Sequence, residues 1–160
     1  MKILRISLLT VSLSICSAGA VTFNLGKDIQ QCLTLPADGD GDGDGDGDGD
    51  KKNQTQCKNE LKEKSQKSLE ETITKIKKLI NNNYDTPYHL NDPEGSEIKD
   101  LFWERFNKSQ QLWIASRNEF CAASALLVGE WAASQDDLQT QCIINQNNDR
   151  EQLLKATYIK

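Results

Sequence analysis

From Gln54 onward, charged and polar residues alternate with apolar ones at Leu61, Leu69, Ile73, Ile76, Leu79 and Ile80. These positions return to one face at 3.6 residues per turn, while lysines and glutamates fill the opposite face. The stretch holds neither Gly nor Pro. It therefore predicts one long helix from Gln54 to Asn81-Asn82-Asn83, where asparagines let a chain leave helical geometry.

Residues 81–95, "NNNYDTPYHLNDPEG", are dense in Asn, Asp, Pro and Gly and read as a loop. Asp92 ahead of Pro93 and Glu94, or Ser96 with Glu97, is placed to cap the next helix. That helix shows Ile98, Leu101, Phe102, Phe106, Trp113 and Phe120 at spacings of three, four and seven, and should run to about Leu127. Gly129 breaks it, and Trp131 falls in the connection. A third helix begins near Ser134, with Asp136 and Asp137 at its positive end and Leu138, Cys142, Leu153 and Leu154 on a helical period. No stretch alternates β-branched and polar residues. The fold class is all-α, an antiparallel bundle of about three helices.

The N-terminus follows a different pattern. Lys2 and Arg5 precede a short apolar run from Ile6 to Ile15, and small residues end at Ala18-Gly19-Ala20. That layout predicts a signal peptide over residues 1–20, cleaved before Val21. About ten apolar residues are too few for a membrane span, which takes roughly 20, and no other membrane segment follows. Ile15 ahead of Cys16 argues against lipidation, which takes a small residue there. Residues 21–52 then form a weakly patterned N-terminal segment, and residues 53–160 the helical domain.

Cleavage leaves four cysteines: Cys32, Cys57, Cys121 and Cys142. An even number in an exported chain predicts two disulfides, with three pairings possible. No C-x-x-C occurs among them, which argues against zinc. A helical domain of about 110 residues has only a marginal core, so staples meet a need.

Charge sharpens the picture in one place. Without Lys2 and Arg5 the chain carries 17 basic and 24 acidic residues, a net charge of −7. Seven of the acids lie in "ADGDGDGDGDGDGDKK", at Asp38, Asp40, Asp42, Asp44, Asp46, Asp48 and Asp50, so the rest of the chain is neutral. A neutral body lacks the clustered basic surface that nucleic acid requires. Repeated D-x-D-x-D-G resembles the start of an EF-hand loop, which needs a glutamate at position twelve. From each of the seven starts that position is Gly49, Lys51, Asn53, Thr55, Cys57, Asn59 or Leu61, so no register completes the site. Weak calcium binding is all that these carboxylates predict. Alternating Gly and like charges resist ordering, so the tract reads as a disordered acidic loop.

Catalytic constellations are missing from the pattern. His89 is the only histidine and sits in the Pro/Asn-rich loop. Two disulfides leave no thiol, and no serine has a G-x-S-x-G setting. Glu70-Glu71 and Asp136-Asp137 read as solvated pairs on helix surfaces. The residues predict a binding protein, without catalytic residues or cofactor.

"SQQLWIASRNEFC" spaces Gln110, Trp113, Arg117 and Cys121 as Q-x-x-W-x-x-x-R-x-x-x-C. The last three are four apart and climb one helix face. Arg117 can lie over the Trp113 indole, a contact worth roughly 0.5–2 kcal/mol. Cys142 lies where an antiparallel third helix would return past Cys121. At these residues the chain resembles the secreted bacterial family typified by the LprI-type lysozyme inhibitor. The likeness continues through Cys142, Arg150 and Leu153 in "CIINQNNDREQLL" and covers Gln54 to Leu154. Members often carry a cysteine pair just before the first helix, which implies Cys32 as the mate of Cys57. Ser116 and Asn118 depart from the Tyr and Asp usual beside that arginine, and the Gly-Asp tract is no part of the pattern.

The resemblance implies a periplasmic or secreted protein that binds and inhibits a lysozyme. The motif residues also carry a structural reading: Trp113 in the core, Arg117 stacked on it, the cysteines bridged, and Arg150 paired with a helix acid. The other function the residues allow is an envelope adaptor that docks on another protein without inhibiting it, using the repeat as a spacer.

Overall fold

A computed structural model describes residues 25–36, 53–129 and 134–159. The expected signal segment, the Asp38–Asp50 tract with its weak calcium positions, and Trp131 lie outside the described residues. The described chain is helical: α1 (Lys27–Cys32), α2 (Gln54–Asn83), α3 (Ile98–Leu126) and α4 (Gln135–Tyr158). Three long helices match the pattern. The short α1 is an addition, in a stretch whose apolar residues are too few to show a period.

Local chemistry sets each boundary. Asn53 accepts the Gln56 backbone N–H at 2.8 Å and so caps α2, satisfying one of the free donors of its first turn. Neither expected cap of α3 forms, because its N-cap is Glu97 and makes no side-chain capping bond. The loop instead feeds α3 through backbone pairs, Tyr88 N–H to Ser96 O and Ile98 N–H to Thr86 O, each 3.0 Å. At the far end Gly129 takes φ 86°, a left-handed conformation that suits glycine and turns the chain toward α4.

α3 runs antiparallel to α2 and α4 antiparallel to α3, so α2 and α4 lie parallel. Contacts climb in step along that pair: Lys58 meets Asp137, Ser65 meets Asn147, and Thr72 meets Glu151. Stability is divided along the bundle axis. Leu69, Ile76, Phe106 and Leu154 form the apolar core toward the α2 C-terminus, joined by Phe102, Trp103, Trp113 and Tyr158. The Phe102 and Phe106 rings stack at 5.4 Å, and Tyr158 meets Phe102 edge-on at 5.7 Å. Both disulfides, Cys32–Cys57 and Cys121–Cys142, sit toward the opposite end. The aromatic cluster thus packs one end, and the staples hold the other around the smaller buried set Ile29, Ala125 and Ile143.

Cys32–Cys57 also closes the base of the chain that carries the acidic tract. Gln54 N–H donates to Pro36 O at 3.2 Å, and Gln54 Nε2 donates to Leu33 O and Leu35 O at 3.1 and 2.8 Å. The chain therefore departs after Pro36 and returns at the same point. Deleting Asp38–Asp50 halves the 25-residue separation of the two cysteines. Loop closure changes by only about 0.6 kcal/mol per factor of two. We expect the melting temperature of that deletion to stay within about 5 °C of the parent; a fall of about 10 °C or more would mean that the tract supports the bundle.

Candidate functional site

Between the apolar core and the staples lies a layer of buried polar side chains. Ser65 and Thr72 of α2, Gln110 and Arg117 of α3, and Asn147 and Glu151 of α4 are all at most 9 % exposed. On α2 the row Ser65, Leu69, Thr72, Ile76 keeps a spacing of four and three, so the polar residues occupy core positions of a helical stripe. Asn147 and Glu151 do the same on α4.

Asn147 is fully buried and organises one half of the layer. Its Oδ1 accepts from Arg117 Nη1 at 2.5 Å, and its Nδ2 donates to Ser65 Oγ at 2.9 Å. Ser65 Oγ in turn donates to Lys62 O. Arg117 is further held by Gln66 Oε1 and Asn118 Oδ1. Glu151 organises the other half, accepting from Ser68, Thr72 and Lys155. Lys155 holds the Glu151 carboxyl below the usual range for glutamate, helped by Ser68 and Thr72 against the opposing effect of burial.

A depressed pKa in the fold means stability that is complete above the ordinary glutamate range and lost as pH falls through the folded value. The wild-type protein should therefore lose stability on acidification from about pH 5 toward pH 3. Glu151→Gln should start less stable and show a flatter slope over that window in urea titrations. Equal slopes would remove Glu151 from the acid response.

Trp113 lies between two cations. Arg117 sits over its ring at 5.3 Å and Arg150 at 5.5 Å. The first contact is the expected stack. The second corrects an expectation, since among the described residues Arg150 pairs with no helix acid and instead donates from Nε toward Gln110 Oε1 at 3.4 Å. The Gln110 Nε2 donor is buried and finds no partner among the described residues. Burial lowers both arginines from their usual range, and Tyr158 opposes the effect at Arg150.

Other sequence-predicted positions separate. Leu153 is 55 % exposed and Phe120 56 %, so both leave the core stripe that their spacing assigns them. α4 turns its polar face inward, which carries Leu153 out, and Phe120 lies one residue before the bridged Cys121 on the far side of α3. Asp137 is the reverse case: it is buried and paired with Lys58, not a solvated surface acid. His89 stays in the exposed loop, edge-on to Tyr88. The Asn147–Arg117–Gln66 and Glu151–Ser68–Thr72 contacts escape a reading of apolar period, although Ser65-Leu69-Thr72-Ile76 is visible once polar residues are admitted to the stripe.

Beside this layer α2 and α3 stand apart, and an open groove of about 870 Å³ runs between them. Lys62, Glu63, Gln66, Lys67 and Glu70 of α2 form one wall, with Arg117, Ile143 and Asn147 facing them. A smaller cavity of about 330 Å³ lies beneath α1, against Leu61, Ser65 and Ile144. Among the described residues no three His, Cys, Asp or Glu side chains lie close enough to hold a metal ion, and no helix is long and apolar enough to cross a membrane.

Fold and site together define a class: a disulfide-stapled helical bundle with a polar middle layer and a solvent-open groove over it. Compared with protein-family models, with curated proteins and with solved structures, the chain matches none of them.

Proposed function

We propose that this chain is an exported binding protein of the bacterial cell envelope, and that its partner is a lysozyme-type peptidoglycan hydrolase, which it inhibits. The observation that carries the binding role is the outer side of α3. Leu112, Phe120, Leu126 and Leu127 are each more than half exposed there, on the helix that carries Q-x-x-W-x-x-x-R-x-x-x-C. A row of large apolar side chains exposed on one helix side is a mark of a docking surface. The two disulfides support an oxidising compartment. The hydrolase comes from the resemblance at Trp113, Arg117, Cys121, Cys142 and Arg150, and from charge: seven aspartates beside an otherwise neutral body suit a cationic enzyme.

The test is lysis of peptidoglycan by lysozyme with and without the purified mature chain. Protection should appear near equimolar ratio and weaken as salt screens the acidic tract. Full lysis at tenfold excess of the chain would sink the inhibitor reading. Capture of an envelope protein by a non-inhibitory chain, lost in a Phe120→Asp variant, would favour the adaptor role.

A further inference from the structure

Among the described residues Arg117 is a buried cation without a counter-ion. It is 8 % exposed, and every acceptor it reaches is an uncharged amide oxygen. Asn118 Oδ1 takes Nε at 3.1 Å and Nη2 at 2.9 Å, Gln66 Oε1 takes Nη1 at 3.1 Å, and Asn147 Oδ1 takes Nη1 at 2.5 Å. The ion pairs of the described residues join Lys58 to Asp137, Lys99 to Glu97 and Lys155 to Glu151, and none includes Arg117. Glu151, the carboxylate buried in the same layer, is already held by Lys155, Ser68 and Thr72. The Trp113 ring at 5.3 Å adds a cation–π contact, but a guanidinium cannot shed its charge, so an anion reaching it would form a charge-assisted pair that no residue of the layer supplies.

The surroundings say where that anion enters. Arg117 faces the groove of about 870 Å³. Gln66 stands between it and solvent, its Oε1 on Arg117 and its Nε2 donating to Glu70 Oε1 at 2.8 Å. That amide is a neutral spacer between the cation and a surface carboxylate one turn away. It is only half-buried, and a carboxylate arriving from the groove can displace it and form the stronger, charge-assisted bond.

We infer that this groove is a carboxylate-binding site, in which an acidic side chain of a protein partner enters between α2 and α3 and replaces Gln66 on Arg117. Lys62 and Lys67 on the α2 wall attract the incoming charge. Lys64 adds to that attraction while Glu60, Glu63 and Glu70 oppose it, so with Arg117 the lining carries one net positive charge, which a single carboxylate neutralises. Ile143 offers apolar contact to the stem of a glutamate. The site stands on its geometry; that a protein supplies the carboxylate rests on the binding-protein reading above.

The experiment is an NMR titration of the ¹⁵N-labelled mature chain at constant ionic strength, following Arg117 Nε–H and the Gln66 side-chain amide. The probes are acetyl-Gly-Glu-Gly-amide, its glutamine counterpart and inorganic phosphate. The glutamyl peptide should shift both signals saturably, and the glutamine peptide should not. Gln66→Ala opens the site and should tighten the glutamyl peptide about three- to tenfold. Asn118→Asp places an internal carboxylate on Arg117 without disturbing the helix, and should weaken the peptide by about tenfold at an unchanged or higher melting temperature. Equal shifts with the glutamine peptide, tighter binding of phosphate, or unaltered binding in a folded Asn118→Asp protein would each overturn the proposal. A chain that binds the glutamyl peptide yet leaves lysozyme active keeps the site and removes the hydrolase as its partner.

Discussion

Replacing Cys121 and Cys142 together with serine should lower the stability of the bundle by about 3 kcal/mol, and the melting temperature by about 10–20 °C. The two cysteines are 21 residues apart and their Cα atoms 5.5 Å apart, one on α3 and one on α4. Opening the bridge returns that loop entropy to the unfolded chain. It also leaves a polar hydroxyl at position 121, where the native side chain is fully buried. The staple lies toward the end of the bundle away from the aromatic core, where the smaller buried set Ile29, Ala125 and Ile143 substitutes for it only in part. The matching change at Cys32 and Cys57 should act differently despite a separation of 25 residues. That bridge ties down a helix of six residues, and once it opens α1 can detach while the long helices stay packed. Hydrogen exchange should show the α1 amides losing protection in that variant, with α2 to α4 retained. A smaller thermal shift for the Cys121/Cys142 pair than for Cys32/Cys57 would reverse this assignment of roles.

Asn147→Ala should destabilise the protein by roughly 2–4 kcal/mol, more than its size alone suggests. The side chain is fully buried and serves two helices at once, accepting from Arg117 of α3 and donating to Ser65 of α2. Truncation removes the closest acceptor of a buried guanidinium and the donor that faces Ser65. Filling the space with Asn147→Leu should not recover the loss, because the cation stays under-partnered. Recovery needs the charge removed as well, so Asn147→Leu with Arg117→Met should be more stable than Asn147→Leu alone. Chemical denaturation of the two single variants and the double variant measures that coupling. Additive losses would mean that the two side chains do not act as a unit.

These expectations fall on groups of different legibility. α2 is almost complete in the sequence, since Leu69, Ile73, Ile76 and Ile80 define a stripe uninterrupted by Gly or Pro and the helix runs from Gln54 to Asn83 as that stripe predicts. The start of α4 is legible from Ser134 and the two aspartates that follow it. The inward face of α4 is not. Its apolar residues are sparse, and of Leu138, Cys142, Leu153 and Leu154 only Leu154 belongs to the buried row, whose other members are Asp137, Ile143, Asn147 and Glu151. Arg150 shows the same limit. Charge suggests an acid partner, while the fold gives it an indole and an amide.

The sequence by itself determined the helical class, the presence of three long helices, an even set of cysteines and the concentration of net charge in one tract. Each of these is local, being set by period, turn residues or composition along the chain. Only the tertiary structure decided which cysteines join, which polar residues are buried, and that Arg117 has no counter-ion among the described residues beside an open groove. Those outcomes depend on partners 21 to 83 residues away in the chain, as for Cys121 with Cys142 and Ser68 with Glu151. A buried polar group is tolerable only when such a partner meets it, and helical period carries no record of that meeting.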